Sequence, residues 1–268
     1  MIIVVESVGN HSNQLFQNIH FEAFALDNNL RFYNPTLKRV RKLFIGKPVP
    51  ISYCLIWIFF KYLNLYKFLT INFTEYFTLN AAPKFECLSG NFALVSGWHF
   101  RNESLTTKYK TYFREKYSLS TMKIDEVKRN NEGNYNEIIS KVKLFEIVIG
   151  LHVRKGDYKE WENGIYYYTD STYKKAVESL RQLFSTQRVL IVVFSNEETK
   201  LDYNEDLILS NNSWFVDHHL MGLCDYLLGP PSTFTMWASY IGPKAKYYHM
   251  KDNKDFPSNI SVFQECNG

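Results

Sequence analysis

One short run holds a His, an Arg, a Lys and an Asp: Gly150-Leu-His-Val-Arg-Lys-Gly-Asp-Tyr158. Arg154 presents a planar fork of donors that matches phosphate oxygens. Gly156 lets the backbone come close to a ligand, and Asp157 can order the loop or take a proton. The run follows residues 145–149, where the β-branched Ile147, Val148 and Ile149 predict a short buried strand. Open α/β sheets bind ligands at the carboxyl ends of their strands. The same residues also make an ordinary strand end closed by an Arg–Asp pair, so the run alone leaves both readings open.

A second group strengthens the first reading. Ser232-Thr233-Phe234 precedes an expected helix and supplies hydroxyls and unpaired N–H groups, the makings of a phosphate cradle. Its plain alternative is a helix N-cap. With Arg154 on a neighbouring strand, the pair makes a diphosphate site. No Asp-x-Asp occurs in the sequence, so the usual carboxylate pair for a divalent cation is missing. Asp202 to Asp206 starts like a calcium loop, but Leu207 stands where that loop needs Gly and Ser213 where it needs Glu. His218 and His219 would face opposite ways in a strand. No metal site is expected, and no GxSxG elbow supports a hydrolase.

The elements that must position these groups alternate between strand and helix. Strands are expected at 2–5, 30–33, 92–95, 145–149, 189–194 and 214–216. Helices are expected at 14–27, 105–117 and 170–183 and from 236, with 220–228 reading as helix then strand. Such alternation predicts a parallel sheet wound on both sides. Residues 34–90 are irregular. The polar, Asn-rich stretch 120–136 suggests a boundary, giving domains 1–135 (acceptor side) and 136–268 (donor binding). Three strand ends, carrying Arg154, Asn196 and Ser232, would open on one edge.

Composition excludes several classes. At 268 residues and 46% apolar the chain can bury a sizeable core. A net charge of +4 is too mild to argue for nucleic acid but suits an anionic ligand or membrane surface. The four cysteines, Cys54, Cys87, Cys224 and Cys266, are scattered and read as reduced thiols, which favours a cytoplasmic address. Residues 51–69 are the most apolar stretch, yet the nearly uncharged part ends at Lys61, short of the ~20 residues a spanning helix needs. That stretch fits a helix packed on the core, or one lying at the inner membrane's cytoplasmic face as a peripheral contact.

Taken together, the motifs resemble those of the bacterial α-1,2-fucosyltransferase family of glycosyltransferases. His152-Val-Arg-Lys-Gly-Asp-Tyr158 matches the family's HxRxGDY motif. Gly9-Asn-His-Ser-Asn13-Gln14-Leu-Phe-Gln17 is similar to its GGxGNQxFQ opening, and Ser96-Gly97-Trp98-His99-Phe100 to its central segment. Ser232-Thr-Phe-Thr-Met-Trp237-Ala238 resembles SSFSWWxA, and Phe194-Ser195-Asn196 resembles FSDD.

The resemblance implies a GT-B architecture, with two Rossmann-like domains facing a central cleft. It also implies an inverting, metal-independent transfer from GDP-fucose, with no cofactor. By that likeness Arg154 stabilises the GDP leaving group, and Ser232, Thr233 and Phe234 hold the diphosphate. His152 braces the loop or meets the nucleotide, Asn196 belongs to the substrate site, and Asn13 reaches donor or acceptor. Asp157, ahead of Glu160 and Glu162, is the expected general base. The acceptor would be an oligosaccharide or lipid-linked glycan. Asn10, Ser12, His99, Asn196, Thr233, Thr235 and Met236 depart from the family pattern, which touches the acceptor and the sugar more than the phosphate site. Two rivals stand beside this reading: another nucleotide sugar on the same scaffold, and a glycan-binding module without catalysis.

Overall fold

The computed structural model describes residues 1–44, 55, 58, 59, 62, 70–72 and 93–268. The chain forms two compact units, one of Met1–Ser118 with Asn267–Gly268, the other of Leu119–Cys266.

In the first unit, strands β1 (Ile2–Val4), β2 (Phe32–Tyr33), β3 (Thr70–Asn72) and β4 (Ala93–Ser96) form a parallel sheet in the order β2-β1-β4-β3. Helix α1 (His11–Asp27) buries Leu15, Phe16, Ile19 and Ala23, and its Phe21 ring stacks 4.8 Å from Phe100. A short helix α2 (Lys38–Arg41) follows β2. The expected helix 105–117 is two, α3 (Glu103–Lys108) and α4 (Lys110–Tyr117), because Tyr109 leaves helical geometry at φ −100°, ψ 15°. α1 also buries Glu22, whose carboxylate accepts from the Tyr117 hydroxyl at 2.6 Å and pairs with Lys116.

In the second unit, β5 (Ile147–Val153), β6 (Val189–Ser195), β7 (Leu207–Leu209), β8 (Tyr226–Gly229) and β9 (Lys246–His249) form a parallel sheet in the order β7-β6-β5-β8-β9. β5 is central. Buried on both faces, it reads as a continuous apolar run broken only by Gly150 and His152. Helix α7 (Asp170–Leu183) covers one face with Tyr173, Ala176, Val177 and Leu180. Helices α8 (Trp214–Leu223) and α9 (Thr233–Ile241) pack on each other, with Gly222 and Gly242 at close approach.

Two expectations change. Residues 120–136, read as the boundary, hold α5 (Thr121–Asn130) and the start of α6 (Tyr135–Val142), both in the second unit, which begins at Leu119. Asn134 ties this region down, donating to Leu209 O at 2.7 Å and accepting from Asn211 N at 2.9 Å. Trp214–Val216, expected as a strand, is the first turn of α8, entered through Ser213 in extended geometry. His218 and His219 therefore sit on a helix, where neighbours do not oppose each other. Segment 51–69 lies outside the described residues apart from Leu55, Ile58, Phe59 and Tyr62. No described helix is long and apolar enough to cross a membrane. Cys224 and Cys266 are buried, and Cys54 and Cys87 lie outside the described residues.

The sheet is tight where β8 passes β5. A Cβ on Gly229 would meet His152 O at 2.5 Å and His152 Cβ at 2.9 Å, and backbone cannot yield as a side-chain tip does. Gly229→Ala is expected to lower stability by about 1–3 kcal/mol, read as a fall in the urea midpoint at unchanged slope.

Asp217 on α8 is buried and accepts from the Ser210 hydroxyl at 2.5 Å. Burial pushes its carboxyl up to about 7, and the Ser210 hydrogen bond offsets only part of that. Because the folded pKa is raised, the cost of burying the charge is absent below the unfolded pKa of ~3.9, grows as pH rises toward about 7, and is constant above. Asp217→Asn is therefore expected to stabilise the protein at pH 8 relative to pH 4 by a few kcal/mol, on the order of 1.4 per pH unit crossed. An equal effect at both pH values would show that Asp217 is not the titrating group.

Candidate functional site

The carboxyl end of β5 carries the site's densest chemistry. After Val153 the chain turns through Arg154 and Lys155 into a 3-10 turn, Gly156–Lys159. Four contacts fix that turn. Lys155 N donates to Asn196 Oδ1 at 2.9 Å, joining the ends of β5 and β6. Lys155 Nζ pairs with Asp170 Oδ1 at 2.7 Å and also donates to Glu198 O. Arg154 N donates to the Tyr173 hydroxyl at 3.3 Å. Gly156 takes φ +57°, and a Cβ there would come within 3.0 Å of Asn196 Nδ2, so glycine is needed for both conformation and space.

Arg154 is thereby aimed outward while its backbone is held. One Nη2–H donates to Asp157 Oδ2 at 2.9 Å, and the guanidinium lies 5.5 Å over the Tyr158 ring. The rest of the donor fork is unengaged by described residues. Asp157 gives Arg154 one oxygen and is 57% exposed, so the other faces solvent.

A second wall comes from the β8–α9 connection. Tyr158 Oη donates to Pro231 O at 2.5 Å, which ties the Arg154 loop to the start of α9. Ser232 is the N-cap of α9, its Oγ accepting from Phe234 N at 3.2 Å. The capping role is thus realised for Ser232, and the helix begins at Thr233, not Met236. Ser232 N donates to His249 Nε2 at 3.4 Å, and the Thr235 hydroxyl lies 2.7 Å from the same nitrogen. Burial lowers the His249 pKa to about 4, which keeps the imidazole neutral.

His152 sits beneath this edge. Its ring stacks on Phe234 at 5.4 Å, and Phe234 in turn meets His218 at 3.9 Å. Phe234 contributes its ring to this stack, so only its backbone lies at the helix start. Desolvation, then the Arg154 charge, holds the His152 pKa down to about 3, so the imidazole is neutral. Its Nδ1 is buried with no hydrogen-bond partner among the described residues. An orphaned buried nitrogen beside an unsaturated guanidinium is unusual in a packed core, and it fits a ligand-facing edge.

The first unit shows a similar edge, described by itself. Gly9 takes φ +68° before α1, and a Cβ there would meet Asn13 Nδ2 at 2.3 Å. Gln17 Nε2 donates to Glu6 O at 3.0 Å and to Gly97 O at 2.9 Å, joining the segments that follow β1 and β4. The Arg101 guanidinium lies 3.5 Å over the Trp98 ring.

The structure thus brings Arg154, Asp157, His152, Asn196, Ser232, Thr233 and Phe234 to one edge of the second sheet, while Asn13 belongs to the first unit. Sequence reasoning missed Lys155, Asp170, Tyr158 and His249. Tyr158 closes the quoted motif and was within reach; His249 ends a strand that the sequence did not show. Among the described residues no group of three or more His, Cys, Asp or Glu is placed to hold a metal ion.

Comparison with known proteins now bears on this edge. No curated protein matches the chain. A variant of Arabidopsis thaliana FUT1 in complex with GDP superposes with a TM-score of 0.60 at 12% identity, over 98% of this chain and 72% of that one. NodZ, an α-1,6-fucosyltransferase from Bradyrhizobium, soaked with GDP-fucose, gives 0.55 at 13% identity, over 96% and 99%. At such identities the likeness establishes the fold, the α/β GT-B fold with parallel sheets. The family model for glycosyl transferase family 11 matches residues 68–258, well over half of the chain, and the protein belongs to that family.

Proposed function

We propose that the protein is an inverting, metal-independent fucosyltransferase, moving fucose from GDP-fucose to a hydroxyl of a galactoside in α-1,2 linkage. The acceptor would be part of a surface glycan or its lipid-linked precursor, and no further cofactor takes part. The observation that carries the reading is the Arg154 guanidinium, anchored through its backbone and Asp157 yet holding unused donors at the carboxyl end of the central strand. The GDP and GDP-fucose held by structurally similar enzymes support the choice of nucleotide.

The chemistry follows from charge. The acceptor oxygen attacks the anomeric carbon from the face opposite GDP. The bond from that carbon to the β-phosphate oxygen breaks, and its electron pair leaves with GDP. Arg154 neutralises the charge gathering on the phosphate, work that a divalent cation does elsewhere. Ser232 and Thr233, at the positive end of the α9 dipole, and the buried His152 nitrogen complete the diphosphate environment. The acceptor proton passes to the open oxygen of Asp157. Asn13 is assigned to substrate contact from the first unit, and Asn196 to holding the loop at the donor.

Arg154→Ala is expected to lower kcat/KM for GDP-fucose by about 10²–10³-fold, the cost of one preorganised charge donor. Asp157→Asn is expected to lower kcat by about 10²-fold or more. Near-normal turnover in Asp157→Asn beside a dead Arg154→Ala would reduce Asp157 to a partner of the arginine. A chelator should leave the rate unchanged.

Another nucleotide sugar on the same fold is the competing reading, and thermal shift separates the two. GDP should raise the melting temperature because it binds only the native state. Stabilisation by UDP in preference to GDP would sink the fucose assignment, and NMR of the product reports the linkage.

A further inference from the structure

Immediately after the Arg154 motif the chain does something costly. Glu162 and Asn163 both take left-handed backbone, at φ 48° and 56°, followed by Gly164 at φ 77°. A left-handed conformation is strained for a residue such as Glu162, and strain of this kind persists where the surroundings enforce it. Gly164 has no alternative, since a Cβ there would meet Lys159 O at 2.9 Å. The result of the turn is that Trp161, a large apolar side chain, is 41% exposed.

The indole is nonetheless fixed. It packs between Tyr158 at 4.8 Å and Tyr166 at 5.2 Å. Tyr158 is itself buried, bonded to Pro231 O and lying under the Arg154 guanidinium. Trp161 therefore belongs to the same rigid body as the phosphate-facing arginine. Its sequence neighbours Glu160, Glu162 and Asn163 are exposed.

We propose that Trp161 is the stacking platform for the acceptor sugar ring. A pyranose offers a face of C–H groups carrying partial positive charge, which fits the negative face of an indole. Its hydroxyls donate to carboxylates such as Glu160 and Glu162. The acceptor, not the guanine, is the occupant, because base, diphosphate, fucose and acceptor follow one another along the reacting assembly. Arg154 marks the diphosphate and Asp157 the acceptor hydroxyl, and the turn that carries Asp157 runs directly into the one that carries Trp161, the two joined by Glu160 N donating to Asp157 O at 3.2 Å. This assignment rests on the function proposed above.

The test compares Trp161→Ala and Trp161→Phe with the parent protein, using lactose as the galactoside. Three quantities are read: GDP affinity by calorimetry, hydrolysis of GDP-fucose without acceptor, and KM for lactose in transfer. Trp161→Ala should raise the lactose KM tenfold or more, while GDP affinity and donor hydrolysis stay within twofold. Trp161→Phe should recover most of the loss. An unchanged lactose KM overturns the proposal, as does a matching fall in GDP affinity, which would make Trp161 the guanine platform. Should the parent protein transfer nothing from GDP-fucose, the proposed function fails on its own. The platform is then read from indole fluorescence with lactose on the GDP-saturated protein: a saturable change lost in Trp161→Ala upholds it, and no change in the parent overturns it.

Discussion

Everything in the second unit depends on how little room there is around β5. The strand is flanked by β6 and β8 and covered on both faces. Gly150 leaves space for Leu227 and Phe194, and Gly229 leaves space for the His152 carbonyl. A parallel strand held this closely has one free end, and its direction decides which residues reach solvent. His152 is a buried polar side chain, and Arg154, two residues later on the same side of the pleat, is a half-buried cation with unused donors. The change from core to site thus happens within a single pleat repeat.

That closeness also explains why so much of the loop is anchored through backbone. Lys155 N, Arg154 N and Tyr158 N all donate to neighbours within the unit, and Lys155 sends its ammonium inward, leaving Arg154 as the outward charge. A lysine and an arginine in succession are not interchangeable here. The lysine is a compact point charge that fits against Asp170 and a carbonyl, whereas the arginine is a fork that needs an open approach.

The sequence exposed the central strands and hid the edges. β5 and β6 are long β-branched runs that no helix would favour. β7 has three residues behind a charged stretch, and β9 reads Lys-Tyr-Tyr-His, a half-covered edge without an apolar run. Trp214–Val216 could be assigned by composition to either state, and only packing of α8 against α9 decides for helix. Within the site, the Arg154–Asp157 pair was legible because its spacing is local. The Lys155–Asp170 pair was not, since fifteen positions separate the two and only the fold of α7 beside β5 closes the gap. The tie from Tyr158 to Pro231 likewise needs β8 to lie next to β5, which no local pattern reveals.

The Lys155–Asp170 pair has a consequence for the entropy of binding. Its side chains are 10% and 24% exposed, and it fastens the loop to the first turn of α7 without reference to any ligand. A loop ordered in advance spends little of its ligand's binding energy on immobilisation. On the function proposed above, Asp170 therefore influences an encounter it never joins: loosening it would return motion to Arg154 and weaken nucleotide affinity through disorder, with every residue at the end of β5 still present.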